Sequence, residues 1–343
     1  MIAVAAMFLV VVIVAAVLAR GGGDATPLPG QPLRALAKQR GIEVGTAVRG
    51  DVQKRNRAYR QLVAQQFSSA TPENEMKWSA VQPSPGKFEF DGADDIVRQA
   101  KEAGQKIRGH TLVWHAQLPP WVRQLGTDDL RQATREHIRA VMQRYAADVG
   151  VWDVVNEPIT DRGGLRNSVF LRRLGPGYIA DAFRTARTAD RDAKLYLNEI
   201  GAEGIGPKSD RLYEVVRGLK AEGVPIDGVS FQTHANLDGL PADFVANMQR
   251  FKALGLDVAI TEADVALKLP PSAADLRAQG KVYSAIVRSC LAVDCRSLTF
   301  WGFTDGRSWI SETQAGMGSA TMLDGELRPK PAFGAVQQAL GAR

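Results

Sequence analysis

The stretch VWDVVNE at residues 151–157 is an apolar run that ends in Asn156 and Glu157. A second stretch, DVAITE at residues 257–262, has the same form and ends in Glu262. Short apolar runs of this kind are typical of strands that are buried on both faces, as in a parallel sheet. Each stretch therefore predicts a buried strand with an acidic side chain at its C-terminal end.

Six further β-rich runs alternate with longer amphipathic segments along the chain. The predicted strands are residues 43–47, 67–71, 106–113, 151–156, 194–198, 228–233, 256–261 and 297–303. The predicted helices include residues 52–66, 93–103, 128–147, 178–189, 209–221, 242–253, 272–290 and 332–340. This alternation predicts an α/β protein, a (β/α)8 TIM barrel in one domain, rather than an open sheet. No G-x-G-x-x-G fingerprint follows the first strand, which argues against a dinucleotide-binding fold.

The first part of the chain has a different composition. Residues 2–19 carry no charged side chain, which is typical of a signal peptide or of a single membrane anchor, so we assign residues 1–20 to one of these. Glycines and prolines follow, and residues 21–33 are interpreted as a flexible tether. Residues 34–343 then form the barrel domain. We expect an exported protein that is secreted, periplasmic or anchored in a membrane and facing outward, with residues 2–19 as a possible membrane tether.

The two cysteines, Cys290 and Cys295, lie five positions apart. With no further ligand type close by, they are a weak zinc candidate. In an exported protein the pair is expected to close a small disulfide loop.

The chain has 43 Lys and Arg residues against 37 Asp and Glu, a net charge of +6. The densest basic stretch, residues 54–60, has helical spacing, and the other arginines are scattered among acidic residues. This distribution indicates a solvated helix face rather than a nucleic-acid site. We expect a monomer that uses no cofactor and no metal and does not bind nucleic acid.

Polar side chains gather at the predicted strand ends. Barrel enzymes carry their chemistry at the C-terminal ends of the strands. Glu157 and Glu262 end the fourth and seventh strands, which lie nearly opposite in a barrel, so both carboxylates can point into one cleft. Glycoside hydrolysis needs such a pair, one carboxyl protonated and the other ionised.

Two other interpretations of these strand ends were weighed. A single glutamate at a strand end is often part of a surface ion pair or a helix cap. The histidines His110, His115 and His234 are possible metal ligands, but no His-x-His or His-Glu-x-x-His spacing supports that. The polar surroundings of both glutamates favour the sugar-cleaving interpretation.

Five motifs together resemble glycoside hydrolase family 10, the retaining endo-β-1,4-xylanases. They are TPENEMKW at 71–78, RGHTLVWH at 108–115, WDVVNE at 152–157, ITE at 260–262 and WGFTDGRSW at 301–309. The resemblance runs from about Gly45 to Leu340 and implies xylan as the substrate.

The resemblance also implies roles for individual residues. Glu157 matches the general acid/base, Glu262 the nucleophile, and Asn156 the donor to the sugar 2-hydroxyl. His234 matches the partner of Glu262, with Asp264 orienting His234 from behind. The remaining substrate-binding residues that the resemblance implies are Glu73, Asn74, Lys77, His110, Trp114 and Gln117, then Gln232, and an aromatic roof of Trp301 and Trp309.

One departure from the family concerns the leaving-group side. After the fifth strand the family usually has Asn-Asp-Tyr, whereas this chain has Asn198, Glu199 and Ile200. The aromatic side chain that would stack on the leaving sugar is therefore replaced by Ile200.

Two alternative functions, one distance and one internal contact remain as expectations. A retaining β-1,4-glucanase would use the same acid pair, and a catalytically silent polysaccharide-binding barrel is the non-enzyme alternative. For a retaining enzyme the two carboxyl groups are expected about 5–5.5 Å apart. Arg108 and Asp153 have the parity of His110 and Glu157 on their strands, so we expect them to meet inside the barrel as a bidentate pair.

Overall fold

A computed structural model describes residues 23–342 and shows a closed barrel of eight parallel strands. The strands are β1 (Glu43–Val48), β2 (Ser69–Pro72), β3 (Lys106–Trp114), β4 (Val151–Asn156), β5 (Lys194–Glu199), β6 (Gly228–Phe231), β7 (Asp257–Val265) and β8 (Ser297–Phe300). Each strand pairs with the next in the chain, and β8 pairs with both β7 and β1, which closes the barrel. The predicted (β/α)8 fold is therefore confirmed.

The helices surround this barrel. They are α1 (Leu33–Gln39), α2 (Gly50–Arg55), α3 (Arg57–Gln66), α4 (Trp78–Val81), α5 (Asp91–Glu102), α6 (Pro120–Gln124), α7 (Thr127–Tyr145), α8 (Val169–Leu174), α9 (Tyr178–Ala189), α10 (Pro207–Ala221), α11 (Phe244–Lys252), α12 (Ala273–Ala292), α13 (Trp309–Thr313) and α14 (Pro331–Gly341). The start of α12 shows why a boundary falls where it does. Ser272 accepts a hydrogen bond from the Asp275 amide while the Asp275 carboxylate accepts one from the Ser272 amide, a capping box that satisfies two free N–H groups.

Several predicted elements differ in their bounds from those observed; the predicted strand 297–303, for example, ends at Phe300. The predicted helix 52–66 is split into α2 and α3, because Asn56 is extended and its side chain caps α3 by accepting from the Tyr59 amide. The predicted strand 228–233 ends at Phe231, and Thr233 takes a positive φ of 64°.

The N-terminal segment is partly outside the structure. The predicted signal peptide or anchor at residues 1–20 lies outside the described residues. The segment before α1 contacts the barrel domain: the Ala25 amide donates to Gln61 Oε1 at 2.7 Å, and Gln337 Nε2 donates to the Pro29 carbonyl at 2.7 Å. Between residues 23 and 342 no helix has the length and apolar character to cross a membrane.

The predicted disulfide is present. Cys290 lies in the last turn of α12 and Cys295 just before β8, with their Cα atoms 5.0 Å apart. The bridge closes the short turn that connects this helix to the last barrel strand.

The barrel interior contains the predicted ion pair. Arg108 Nε lies 3.1 Å from Asp153 Oδ2, and Arg108 Nη2 bonds both Asp153 Oδ1 and, at 3.0 Å, Ser230 Oγ. The guanidinium also lies over the Tyr196 ring, 4.7 Å from its centroid. Burial opposes ionisation of Asp153, but the Arg108 charge and the His110 hydrogen bond outweigh it and lower its pKa.

Removing one member of this pair is expected to be costly. Arg108→Met should lower the free energy of unfolding by about 3–5 kcal/mol, because Asp153 is left buried without its cation. Urea denaturation of Arg108→Met and of the double variant Arg108→Met/Asp153→Leu would test this, and the double variant should recover part of the loss. The exposed Arg98→Met serves as control; an equal loss in both arginine variants would contradict the prediction.

Close packing inside the barrel also depends on a glycine. A Cβ atom on Gly109 would lie 2.1 Å from Cε3 of Trp152, which is fully buried on the neighbouring strand β4. Only glycine lets β3 accept this indole against its backbone.

Candidate active site

Glu262 lies near the C-terminal end of β7 and is 5% exposed. Its Oε1 accepts a hydrogen bond from Asn198 Nδ2 at 2.7 Å, and its Oε2 lies 3.4 Å from His234 Nε2. Burial would raise the pKa of Glu262, but the hydrogen bond from His234 and the charges of His110 and His234 outweigh it, so the pKa lies below its usual value. Glu262 is therefore held as a carboxylate.

His234 supplies a positive charge to this carboxylate. Its Nδ1 lies 2.9 Å from Asp264 Oδ2, which also accepts from Trp309 Nε1 at 2.8 Å. Burial would lower the pKa of His234, but Asp264 and Glu262 together raise it to about 10. At neutral pH both ring nitrogens consequently carry protons and can donate, one to Asp264 and one to Glu262.

Glu157 follows β4 and has a positive φ of 54°, an uncommon conformation for a residue other than glycine. Its amide donates to the Asn198 carbonyl at 2.9 Å, and its own carbonyl accepts from Arg166 Nε at 2.8 Å. These two bonds hold the turned backbone in place, so that the side chain leaves the strand end toward the barrel mouth.

The groups around the Glu157 carboxylate are mostly neutral. Its Oε1 accepts from Gln232 Nε2 at 3.0 Å and from Asn156 Nδ2 at 3.3 Å, while His115 Nε2 lies 4.0 Å from Oε2. Burial lowers the pKa of His115, against the charge of Glu157. The Glu157 carboxylate thus faces amides, whereas the Glu262 carboxylate faces an imidazolium.

Asn198, at the end of β5, connects the two glutamates. Its Nδ2 donates to Asn156 Oδ1 at 2.8 Å as well as to Glu262, and its Oδ1 accepts from Ser230 and Thr261 hydroxyls at 2.8 and 2.7 Å. In the sequence, Asn198 was noted only as the first residue of the stretch Asn198-Glu199-Ile200, which differs from the family pattern. The signal that could have found it is the one that marked Asn156, an amide side chain at the end of an apolar strand.

A group of polar and aromatic residues lies on one side of the glutamates. Lys77 Nζ lies 4.9 Å from the Trp114 ring centroid and 6.0 Å from that of Trp301, and 3.2 Å from Asn74 Oδ1. Burial lowers the pKa of Lys77, against the charges of Glu262 and other carboxylates. The lysine therefore belongs to a partly desolvated cleft that also contains Glu262.

The other residues predicted for the glycone side contact the cluster around Lys77 that was just described. Asn74 Oδ1 also accepts from Gln117 Nε2 at 3.2 Å, and Asn74 Nδ2 donates to Glu73 Oε1 at 3.4 Å. Burial raises the pKa of Glu73 to about 7. His110 bonds Asp153 Oδ2 at 3.0 Å and presents its ring to Trp301, 5.2 Å between centroids. The structure thus brings the predicted glycone-side residues together.

The other side of the cleft has a buried acid that the sequence analysis did not list as a site residue. Glu199 is fully buried and accepts from the amides of Ile159 and Ile200 at 3.0 and 3.1 Å. Burial raises the pKa of Glu199 to about 8, against the charge of Lys208 3.5 Å away. Ile200 is half-buried beside it. Glu199 therefore fixes the backbone just beyond Glu157.

The histidines considered as metal ligands have other neighbours. His110 contacts Asp153, and His234 lies between Asp264 and Glu262. Over residues 23–342, no three or more His, Cys, Asp or Glu side chains are grouped so as to hold a metal ion.

Known proteins that are similar to this chain are xylanases. An endo-1,4-beta-xylanase of Agaricus bisporus is 40% identical over 270 residues, which cover 78% of this chain and 81% of that protein. Xylanase 10B of Thermotoga petrophila, solved with xylobiose, superposes with a TM-score of 0.87 at 36% identity, covering 92% of this chain and 98% of that one. An intracellular xylanase of Thermoanaerobacterium saccharolyticum was solved as a glutamate-to-alanine mutant with xylotetraose. It superposes with a TM-score of 0.84 at 32% identity, covering 90% of this chain and 99% of that one.

The family comparison covers almost the whole barrel domain. The family model described as glycosyl hydrolase family 10 matches residues 32–339. This match and the relatives confirm the resemblance found in the sequence: the chain belongs to glycosyl hydrolase family 10.

Proposed function

We propose that this protein is a retaining endo-1,4-β-xylanase in which Glu157 is the general acid/base and Glu262 the nucleophile. The observation that carries the proposal is the unequal surroundings of the two carboxyls. The His234 imidazolium, whose Nε2 lies 3.4 Å from Glu262 Oε2, keeps Glu262 ionised, whereas Glu157 accepts from neutral amides at the same end of the barrel. One side chain, Asn198, links the two positions.

The first step forms a covalent intermediate. An oxygen of Glu262 attacks the anomeric carbon, and the bond to the departing sugar breaks with its electron pair on the glycosidic oxygen. Glu157 gives its proton to that oxygen. The departing chain leaves as a neutral alcohol, and the glycone stays as an ester of Glu262.

The second step restores the enzyme. Glu157, now a carboxylate, takes a proton from water, whose oxygen attacks the same carbon. The ester bond breaks, its electron pair returns to Glu262, and the sugar leaves with its original configuration. We assign to Asn156, next to Glu157, the hydrogen bond to the 2-hydroxyl during both displacements.

Xylan is the proposed substrate for two reasons. The relatives named above are endo-1,4-xylanases or were solved with xylobiose and xylotetraose. Trp301 is buried beside His110 and Lys77, on the side that we propose binds the glycone. A wall in this place favours a sugar without the C5 hydroxymethyl group that glucose carries.

Two measurements test this proposal. Purified residues 33–343 should release reducing ends from xylan far faster than from carboxymethylcellulose or mannan, with an early fall in xylan viscosity that shows internal cleavage. Proton NMR of the fresh product should show the β-anomer first. Faster turnover of carboxymethylcellulose than of xylan would favour the glucanase. Binding to xylan without release of reducing ends would favour the catalytically silent barrel. An α-anomer at first appearance would refute retention.

The histidine beside the nucleophile gives a pH prediction. His234→Gln should move the acid limb of the kcat/KM profile to higher pH by about 1–3 units. Glu262 must be ionised to attack, and the His234 cation holds its pKa low; without the cation, Glu262 takes up its proton at higher pH. Profiles on an aryl xylobioside measure the shift. Lys268→Gln, which removes an exposed cation just after β7, is the control and should leave the limb in place.

We also propose that the protein is exported and acts as a monomer. The apolar residues 2–19 and the Cys290–Cys295 disulfide support export. Expression of the full chain followed by fractionation and mass measurement tests both points. Recovery only from the cytoplasm, or a dimer mass in light scattering, would contradict them.

A further inference from the structure

The path of the chain between Gln232 and His234 is interrupted by a turn. The β6 strand ends at Phe231, and pairing with β7 resumes only at the two-residue strand His234–Ala235. Between them Thr233 has a φ of 64°, a left-handed conformation that β-branched residues rarely adopt. A specific contact is therefore needed to stabilise Thr233 in this left-handed conformation.

The register of the two strands changes beside this turn. Phe231 pairs with Ile260, and His234, three residues further on, pairs with Asp264, four residues beyond Ile260. The β7 strand therefore has one residue more than its partner in this stretch, and Glu262 lies within it. Irregularities of this type redirect side chains near active sites. The β7 strand has the same extra residue against β8, where Leu298 pairs with Ile260 and Phe300 with Ala263, so the bulge belongs to β7. The turn at Thr233 directly precedes His234 and sets the direction in which the chain reaches its pairing with Asp264.

A buried carboxylate holds the turn. The Thr233 amide donates to Glu203 Oε1 at 2.7 Å, and Thr233 is only 1% exposed, so water cannot serve as its partner. Glu203 is itself buried in the loop after β5. Asn247 Nδ2 fixes that loop by donating to the carbonyls of Ala202 and Glu203 at 2.7 and 2.8 Å.

We propose that Glu203 is a positioning residue for the nucleophile: its carboxylate holds the left-handed turn at Thr233 and thereby places His234 between Asp264 and Glu262. The inference rests on the proposed function, since it concerns how Glu262 is kept ionised and aimed. Glu203 acts through the backbone of Thr233 and through His234.

Loss of this hydrogen bond leaves a buried N–H group without a partner, so the turn is expected to relax. His234 Nε2 is already 3.4 Å from Glu262 Oε2, at the long end of hydrogen bonding, and a small displacement would break the contact. The charged groups around Glu262 are His234 with Asp264 behind it, then His110, Arg108, Lys77 and Asp153. Of these, His234 is the group that the Thr233 turn positions.

The test compares substitutions at Glu203 by their rates and pH profiles on an aryl xylobioside. Glu203→Ala should lower kcat/KM about 10- to 100-fold, the usual effect of displacing a catalytic group. Its acid limb should move to higher pH, because a displaced imidazolium no longer holds the Glu262 pKa low. If Glu203 only stabilised the fold, its substitution would lower the amount of folded enzyme without moving the acid limb of the pH profile.

Two further variants keep the test decisive if the alanine protein does not fold. Glu203→Asp is shorter by one methylene group and should show the same shift of the acid limb with a smaller loss of rate. Glu203→Gln keeps an oxygen that can accept from Thr233 and should retain most of the wild-type rate and pH profile. Gln105→Ala, which removes a buried amide bonded to two carbonyls at the N-terminal side of β3, controls for lost stability alone.

The outcomes separate this inference from the proposed function. If Glu203→Asp has the wild-type rate and acid limb, or if Glu203→Gln is as impaired as the other variants, the positioning role is wrong. If the wild-type protein shows no retaining xylanase activity, or Glu262→Ala remains active, the proposed function itself fails.

Discussion

Glu262→Ala is expected to reduce xylan hydrolysis on the order of 10⁵-fold or more, as removal of a covalent nucleophile does in other enzymes. The carboxylate is 5% exposed and bonded by Asn198 and His234. Glu262 is the one carboxylate that we propose attacks the anomeric carbon. The loss should appear in kcat, measured by reducing-end release, and the circular dichroism spectrum should match that of the wild type.

Added azide or formate makes this result specific for a nucleophile. Either small anion fits the space left by the carboxylate and should restore turnover of an aryl xylobioside, with a product of inverted configuration. Glu326→Ala, at an exposed position in the loop before α14, is the matched control and should retain full activity. Wild-type rates in Glu262→Ala, or rescue with retained configuration, would show that another group attacks.

Glu157→Ala is expected to have an effect that depends on the leaving group. With xylan, whose departing sugar needs a proton, kcat/KM should fall by about 10²–10⁴-fold. With a dinitrophenyl xylobioside the departing group needs no proton, so the first step should proceed at close to the wild-type rate. Hydrolysis of the intermediate stays slow, because no base activates water, and a burst of dinitrophenol should precede a slow steady state.

Azide distinguishes the acid/base from the nucleophile. In Glu157→Ala it should accelerate the second step and give a β-xylosyl azide, the configuration opposite to that formed by Glu262→Ala. Gln232→Ala removes a hydrogen bond to Glu157 Oε1 without removing the acid, and it provides a comparison. It should lower kcat/KM by a similar factor on xylan and on the dinitrophenyl substrate. Equal losses on xylan and on the dinitrophenyl substrate in Glu157→Ala would contradict the assignment.

Much of the site was predictable because it sits at strand ends. Glu157, Glu262 and Asn156 each follow an apolar run, and in a parallel barrel all such ends meet at one mouth. The same reasoning predicted the Arg108–Asp153 pair from side-chain alternation. These inferences use only local pattern and one fold-level rule.

Other features were missed because they depend on contacts between residues far apart in the chain or on local backbone turns. Asn198 has the same pattern as Asn156, but its bond to Glu262 spans 64 positions. Glu203 lies in a loop, and its role depends on the left-handed turn at Thr233, which the run of residues 228–233 predicted as plain strand. The break at Asn56 was missed because a capping amide outweighs a continuous helical pattern there.

The sequence by itself determined the order of strands and helices, since buried parallel strands and amphipathic helices have different apolar periods, and this order closes into a barrel. It also determined which acids lie at the mouth. Only the tertiary structure decided that Asn198 links the two glutamates and that amides face the Glu157 carboxylate. The strength of a hydrogen bond and the pKa of a carboxyl both depend on distances of a few ångström between residues far apart in the chain. Local composition does not encode those distances.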